Sequence, residues 1–139
     1  MSFSKTLIAT VAAFLVASPV LSSPVPSSET NVSEANELDR RATVYSGKAT
    51  YYYQYGVAGA CGQYNADSAL IAAMNSAQYP GTCGKNIVVT NTQNGKSVTA
   101  RVEDLCPGCA ANSVDLSVGA FDAIGDEATG VLPITWYWQ

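Results

Sequence analysis

The sequence predicts a compact, mainly β barrel confined to residues 42–139. Three observations carry that expectation. Residues 49–53, 87–90, 98–103 and 131–138 are rich in β-branched and aromatic side chains, as strands are. Asn94-Gly95, the strongest short-range hairpin signal, lies between the second and third of these stretches. All eight tyrosines, both tryptophans and all four cysteines of the 139-residue chain fall in this part, so the material for a core is concentrated there.

Two segments precede it. Residues 1–22 read as a secretory signal: Lys5 supplies the positive start, residues 7–17 form a short apolar run, and Val20-Leu21-Ser22 offers a cleavage site. The run is apolar all round, whereas a core helix carries one apolar stripe. Export places the four cysteines in an oxidising compartment, where they are expected as disulfides. Residues 23–41 are rich in Ser, Pro, Glu and Asn, hold no aromatic residue, and carry the glycosylation sequon Asn31-Val32-Ser33. Such a segment cannot bury enough apolar surface to offset its ordering entropy, so it reads as a disordered pro-segment. It ends in Arg40-Arg41, a dibasic processing site, and leaves a mature domain from Ala42 to Gln139.

Within the domain, Val98, Ala100 and Val102 alternate with Thr99, Arg101 and Glu103, the pattern of a half-buried strand. Leu132, Ile134, Trp136 and Trp138 share one face of the last strand, which favours a core role for both tryptophans. Residues 67–76 read as a helix, with Ala69, Leu70, Ala73 and Met74 at helical spacing and Asp67 or Ser68 as cap. A second short helix is expected over 119–124. Four basic and seven acidic side chains leave residues 42–139 at a net charge of −3, and a core this small needs disulfides.

Composition excludes several chemistries. The chain has no histidine, which removes a Ser-His-Asp triad, a Cys-His pair and any imidazole-ligated zinc. A net charge of −4 and a pI near 4.5 argue against nucleic acid as a partner. The only long apolar run is the signal, so no membrane association is expected.

Four pieces then carry a family resemblance: Gly59-Ala60-Cys61-Gly62; Cys83-Gly84-Lys85 before a strand; Val98 through Cys106 (VTARVEDLC); and Val114-Asp115-Leu116-Ser117 with Ala120-Phe121. Their order and spacing resemble the double-psi β-barrel superfamily of barwin, expansin N-terminal domains, rare lipoprotein A-like proteins and family-45 endoglucanases. The resemblance spans residues 44–138 and implies a six-stranded double-psi β-barrel with short flanking helices. Within the superfamily the chain is most similar to small secreted fungal expansin-like proteins, in which the barrel stands alone. That likeness implies a secreted monomer without metal or cofactor, whose partner is a cell-wall polysaccharide or a secreted protease.

The same resemblance pairs Cys61 with Cys83, matching a barwin disulfide, and leaves Cys106 for Cys109. A zinc site built on Cys106-Pro107-Gly108-Cys109 lacks two further ligands, and a redox motif is expected beside a βαβ unit. The pair reads as a loop staple.

Chemistry, if any, must use carboxylates. Asp115 resembles the general acid of family-45 endoglucanases, a position that expansins and lytic transglycosylases also place in their groove. Asp104 resembles an aspartate at the end of the matching strand in barwin and rare lipoprotein A-like barrels. An inverting glycosidase needs a second carboxylate to activate water. The aromatic cluster before that base is reproduced by Ala49-Thr50-Tyr51-Tyr52-Tyr53, but Gln54 follows, and an amide takes no proton from water. A structural role for Asp115, capping a turn or helix near Ser117, competes with the groove role. Thr50, Tyr51, Tyr52, Asp104 and Asp115 are therefore the expected ligand groove, with Asp115 the one candidate acid. Three function classes follow: non-hydrolytic polysaccharide binding, inhibition of a papain-type protease as in a bacterial inhibitor with a similar barrel, and carbohydrate cleavage.

Overall fold

The computed structural model describes residues 43–139. The expected signal, pro-segment and Arg40-Arg41 site lie outside the described residues. The strands are β1 (Tyr45–Tyr52), β2 (Ile71–Asn75), β3 (Asn86–Asn91), β4 (Ser97–Cys106), β5 (Val114–Ser117) and β6 (Leu132–Trp138). They close into a barrel in the order β1-β5-β2-β4-β3-β6. β1 with β5 and β2 with β4 run parallel, and the other four pairs are antiparallel. The expected mainly β, six-stranded barrel with few short helices is the fold observed.

Alternation decides which side chains fill the interior. Ala49, Ala72, Met74, Val89, Val98, Ala100, Val102, Val114, Leu116 and Ile134 are buried in one cluster from all six strands. Trp136 is fully buried at its centre. Tyr45 stacks on it at 4.4 Å, Trp138 meets it edge-on at 5.3 Å, and its indole Nε1 donates to Asn112 O at 2.8 Å. Trp138 is only half-buried against this cluster.

The helix expected over 67–76 is not there; Ile71–Asn75 is strand β2 instead. Every residue of β2 is buried, and the strand is paired along both edges, with β4 and with β5. A strand buried on both sides shows no alternation, and tertiary pairing overrides the helical spacing of its alanines. The second helix is present as α1 (Val118–Asp122), and a 3-10 turn follows at Glu127–Thr129. Buried Ser117 caps α1 and also binds the preceding loop: its Oγ accepts from Ala120 N and Ile71 N and donates to Ala69 O.

The β3–β4 hairpin forms, but Asn94-Gly95 lies in a longer loop over 92–96 rather than a two-residue turn. Gly95 alone takes a left-handed conformation (φ 75°) while Asn94 does not, so the turn is not type I′. Both expected disulfides form, Cys61–Cys83 and Cys106–Cys109, with sequence separations of 22 and 3.

The chain-entropy model gives about 3.4 kcal/mol for a closed loop of that greater length and about 2 for the shorter one. Replacing Cys61 and Cys83 together by serine should lower unfolding free energy by about 3 kcal/mol in urea titrations. The Cys106/Cys109 double variant should lose clearly less.

Candidate functional site

The strand registers put the candidate residues in one row across the barrel wall. Thr50 of β1 is opposite Asp115 of β5, Asp115 is opposite Ala73 of β2, and Ala73 is opposite Asp104 of β4. On β1, β2 and β5 the flanking residues Ala49, Ala72, Met74, Val114 and Leu116 belong to the core cluster, so this row points away from it. Two strand spacings, about 10 Å between Cα atoms, separate the aspartates. The small side chain of Ala73 lies between them.

Asp104 points this way because of a β-bulge. The β2–β4 register steps from Ala72↔Val102 to Ala73↔Asp104, leaving Glu103 as the extra residue. Without it, Asp104 would continue the inward series of Val98, Ala100 and Val102. Glu103 is itself buried, and its Oε1 meets Arg101 Nε at 2.7 Å. Asp104 Oδ1 accepts from Ala60 N at 2.7 Å and Leu105 N at 2.8 Å. The loop bearing Ala60 crosses β4 so closely that a Cβ on Gly59 would stand 2.5 Å from Glu103 O, so only glycine fits there.

Asp115 Oδ1 accepts from Thr50 Oγ1 at 2.7 Å. Burial raises the Asp115 pKa above its ordinary 3.8; the Thr50 hydrogen bond opposes the shift, and the charge of Asp104 adds to it. Asp115 does not cap the helix beside it, since Ser117 does. Tyr52 lies on the same outward face. Burial pushes its hydroxyl well above the ordinary tyrosine range, with Gln54 opposing and Asp104 and Asp115 adding to the rise. Its Oη is nonetheless buried without a hydrogen bond of normal geometry, as are Gln54 Nε2 and Asn65 Nδ2.

Thr50, Tyr52, Asp104 and Asp115 thus come together, and Tyr51 does not join them. Its ring packs on Phe121 at 4.9 Å and touches Tyr53 at 6.2 Å, on the opposite face. Tyr53 Oη donates to Glu127 Oε2 at 2.8 Å, and this bond chiefly pushes its pKa up to about 12. The burial of Gln54 and the exposure of Tyr64 escaped the sequence reading. Gln54 is only 6% exposed, held by its backbone N–H on Asp67 Oδ1 at 2.6 Å. Tyr64, 76% exposed, stands on the loop that covers Asp104, tied there by the Ala58↔Tyr64 bridge. A cavity of about 320 Å³ opens beside Thr50 and is lined by Lys48, Cys106, Cys109, Ser113 and Val131 rather than by either aspartate. Among the described residues no three His, Cys, Asp or Glu side chains form a metal-sized group.

Comparison with known proteins adds three kinds of similarity. A family model described as lytic transglycolase matches residues 44–136. A ripening-related protein of Oryza sativa subsp. japonica is 38% identical over 88 residues, covering 58% of this chain and 53% of the relative. Among solved structures, the expansin of Clavibacter michiganensis in complex with cellohexaose has a TM-score of 0.62 and 31% identity, covering 70% of this chain and 50% of the expansin. A Streptomyces papain inhibitor has the same TM-score and identity and covers 69% of this chain and 94% of the inhibitor. The chain thus spans about half the length of the first two of these proteins.

A carboxyl whose pKa is raised on folding binds its proton more tightly folded than unfolded, so stability falls as pH rises through the window above 3.8. Asp115→Asn should remove that slope, visible as a smaller loss of urea midpoint between about pH 3.5 and 7. Thr50→Val, which removes the opposing hydrogen bond, should move the Asp115 carboxyl further upward in a carbon-13 NMR titration.

Proposed function

The chain belongs to the lytic transglycolase family of double-psi β-barrels, and from that membership we propose that it is a secreted, expansin-like protein that binds cell-wall polysaccharide without cutting it. One observation carries the reading: the outward row of Thr50, Asp115 and Asp104 occurs in a barrel similar to that of an expansin solved with cellohexaose. A surface edged by two carboxylates suits the hydroxyls of a neutral glycan, which donate to them. Tyr64, on the loop over Asp104, offers an exposed ring for stacking.

Cleavage by inversion asks for an acid and a free base. Burial raises the Asp115 pKa, the direction that a general acid requires. At the position where the endoglucanase resemblance expects the base stands Gln54, and Asp104 already has one oxygen committed to two backbone N–H groups. Binding is therefore favoured over hydrolysis. A second reading, inhibition of a papain-type protease, draws on one fact: the similarity covers 94% of the papain inhibitor, against half of the expansin. The exposed tip at Tyr55-Gly56, both left-handed and closed by Val57 N on Gln54 O, is the kind of loop such a role would use.

Pull-down on insoluble cellulose, β-glucan, chitin and peptidoglycan, run beside a papain assay, separates these readings. Weak retention on a β-linked glycan is expected, with no release of reducing or anhydro-sugar ends. Tyr64→Ala should weaken retention by about 0.5 to 1.5 kcal/mol, and Asp115→Asn by less. Sugar release that depends on Asp115 would overturn the proposal in favour of an enzyme. Papain inhibition without glycan binding would overturn it in favour of an inhibitor.

A further inference from the structure

A second cleft, of about 450 Å³, lies where the start of β1 and the end of β6 meet the β2–β3 connection, and none of the row residues lines it. Its lining is Tyr45, Gln78, Thr82, Lys85, Trp138 and Gln139. Three of these groups are poised for a ligand. Trp138 is half-buried, and its edge-on contact with Trp136 at 87° holds the ring plane in one orientation. Gln78 is fixed by its carbonyl: Oε1 accepts from Asn75 Nδ2 at 2.7 Å and Asn112 N at 3.1 Å, so Nε2 is the atom left to donate. Lys85 Nζ stands 6.0 Å from the Trp138 ring centre, at the outer limit of a cation–π contact. Among the described residues the one ion pair is Arg101–Glu103, so Lys85 has no carboxylate side chain as partner.

We propose that this cleft is a second glycan site, distinct from the carboxylate row, and selective for a sugar ring that bears a carboxylate. A flat aromatic face takes the apolar face of a pyranose ring, an oriented amide N–H takes a ring hydroxyl, and a free ammonium takes a uronate carboxylate. No Asp or Glu side chain lines the cleft. The row across the barrel wall has the opposite character, two carboxylates that repel an anionic unit. This inference does not depend on the reading of the row.

Proton–nitrogen NMR of the intact domain, following the two indole N–H signals, tests it with a galacturonic acid trimer as probe and cellotriose as its neutral counterpart. The expected result is a shift of the Trp138 indole signal with the acidic trimer and little with cellotriose at equal concentration. Lys85→Gln, at an exposed position that leaves the fold intact by circular dichroism, should weaken the trimer about two- to fivefold, the range of one partly exposed charge pair. Added salt should act in the same direction. Asp115→Asn should leave the Trp138 response unchanged. Equal shifts with cellotriose, indifference to Lys85→Gln, or shifts confined to residues around Asp104 and Asp115 would each overturn the assignment.

Discussion

The β-bulge at Glu103 determines which way the end of β4 faces, and several other features exist to hold it. The Arg101 guanidinium neutralises the buried Glu103 carboxylate. Glu103 O accepts from Cys61 N at 3.1 Å, so the loop over β4 is pinned to the bulge by its backbone. That loop is in turn tied to the strand β3 side of the barrel by the Cys61–Cys83 bridge. The next two backbone donors, Ala60 N and Leu105 N, converge on Asp104 and fix its carboxylate. A one-residue change of register flips every following side chain to the other face. Removing the bulge would send Asp104 into the apolar interior, where an unpaired carboxylate is costly.

Those dependencies explain which parts of the molecule were legible in the sequence. Alternation in β4 and β6 is a local signal, and it located Val98, Ala100, Val102, Ile134 and Trp136 in the core. β2 was read as a helix because a strand buried on both faces loses the period of two, and β5 has only four residues. Alternation also says that Tyr51 and Tyr52 face apart, but which of them faces out is set by the β1–β5 pairing, a contact made across 65 positions of chain. The direction of Asp104, expected in the groove from the resemblance alone, was hidden from the alternation for a sharper reason. Counting outward from Val98 places it inside, and only the β2–β4 register exposes the extra residue. The burial of Gln54 comes from Asp67 reaching back to its N–H, a loop contact with no periodic signature.

The electrostatic layout is uneven for so lightly charged a chain. Asp104 and Asp115 share one stretch of wall; burial makes Asp115 costly to ionise, Thr50 partly offsets that cost, and the charge of Asp104 adds to it. The opposite face of β1 runs Tyr51, Tyr53 and Tyr55 outward from the core, with Glu127 taken up by the Tyr53 hydroxyl. Lys85, by contrast, is left beside aromatic rings rather than beside an acid. Among the described residues Arg101–Glu103 is the one pair of opposite charges in contact, and its carboxylate is buried at the bulge.

Closure of the barrel has a consequence for how the protein can change. Each of its six strands has a neighbour on both sides, so the barrel presents no edge strand for a strand from another chain. The connections over 53–70 and 107–113 run between strands whose positions are already fixed by their neighbours. New residues inserted at an exposed tip such as Tyr55-Gly56, away from the contacts that pin the bulge, need not shift a cross-strand pair, so recognition can drift there while the frame stays still.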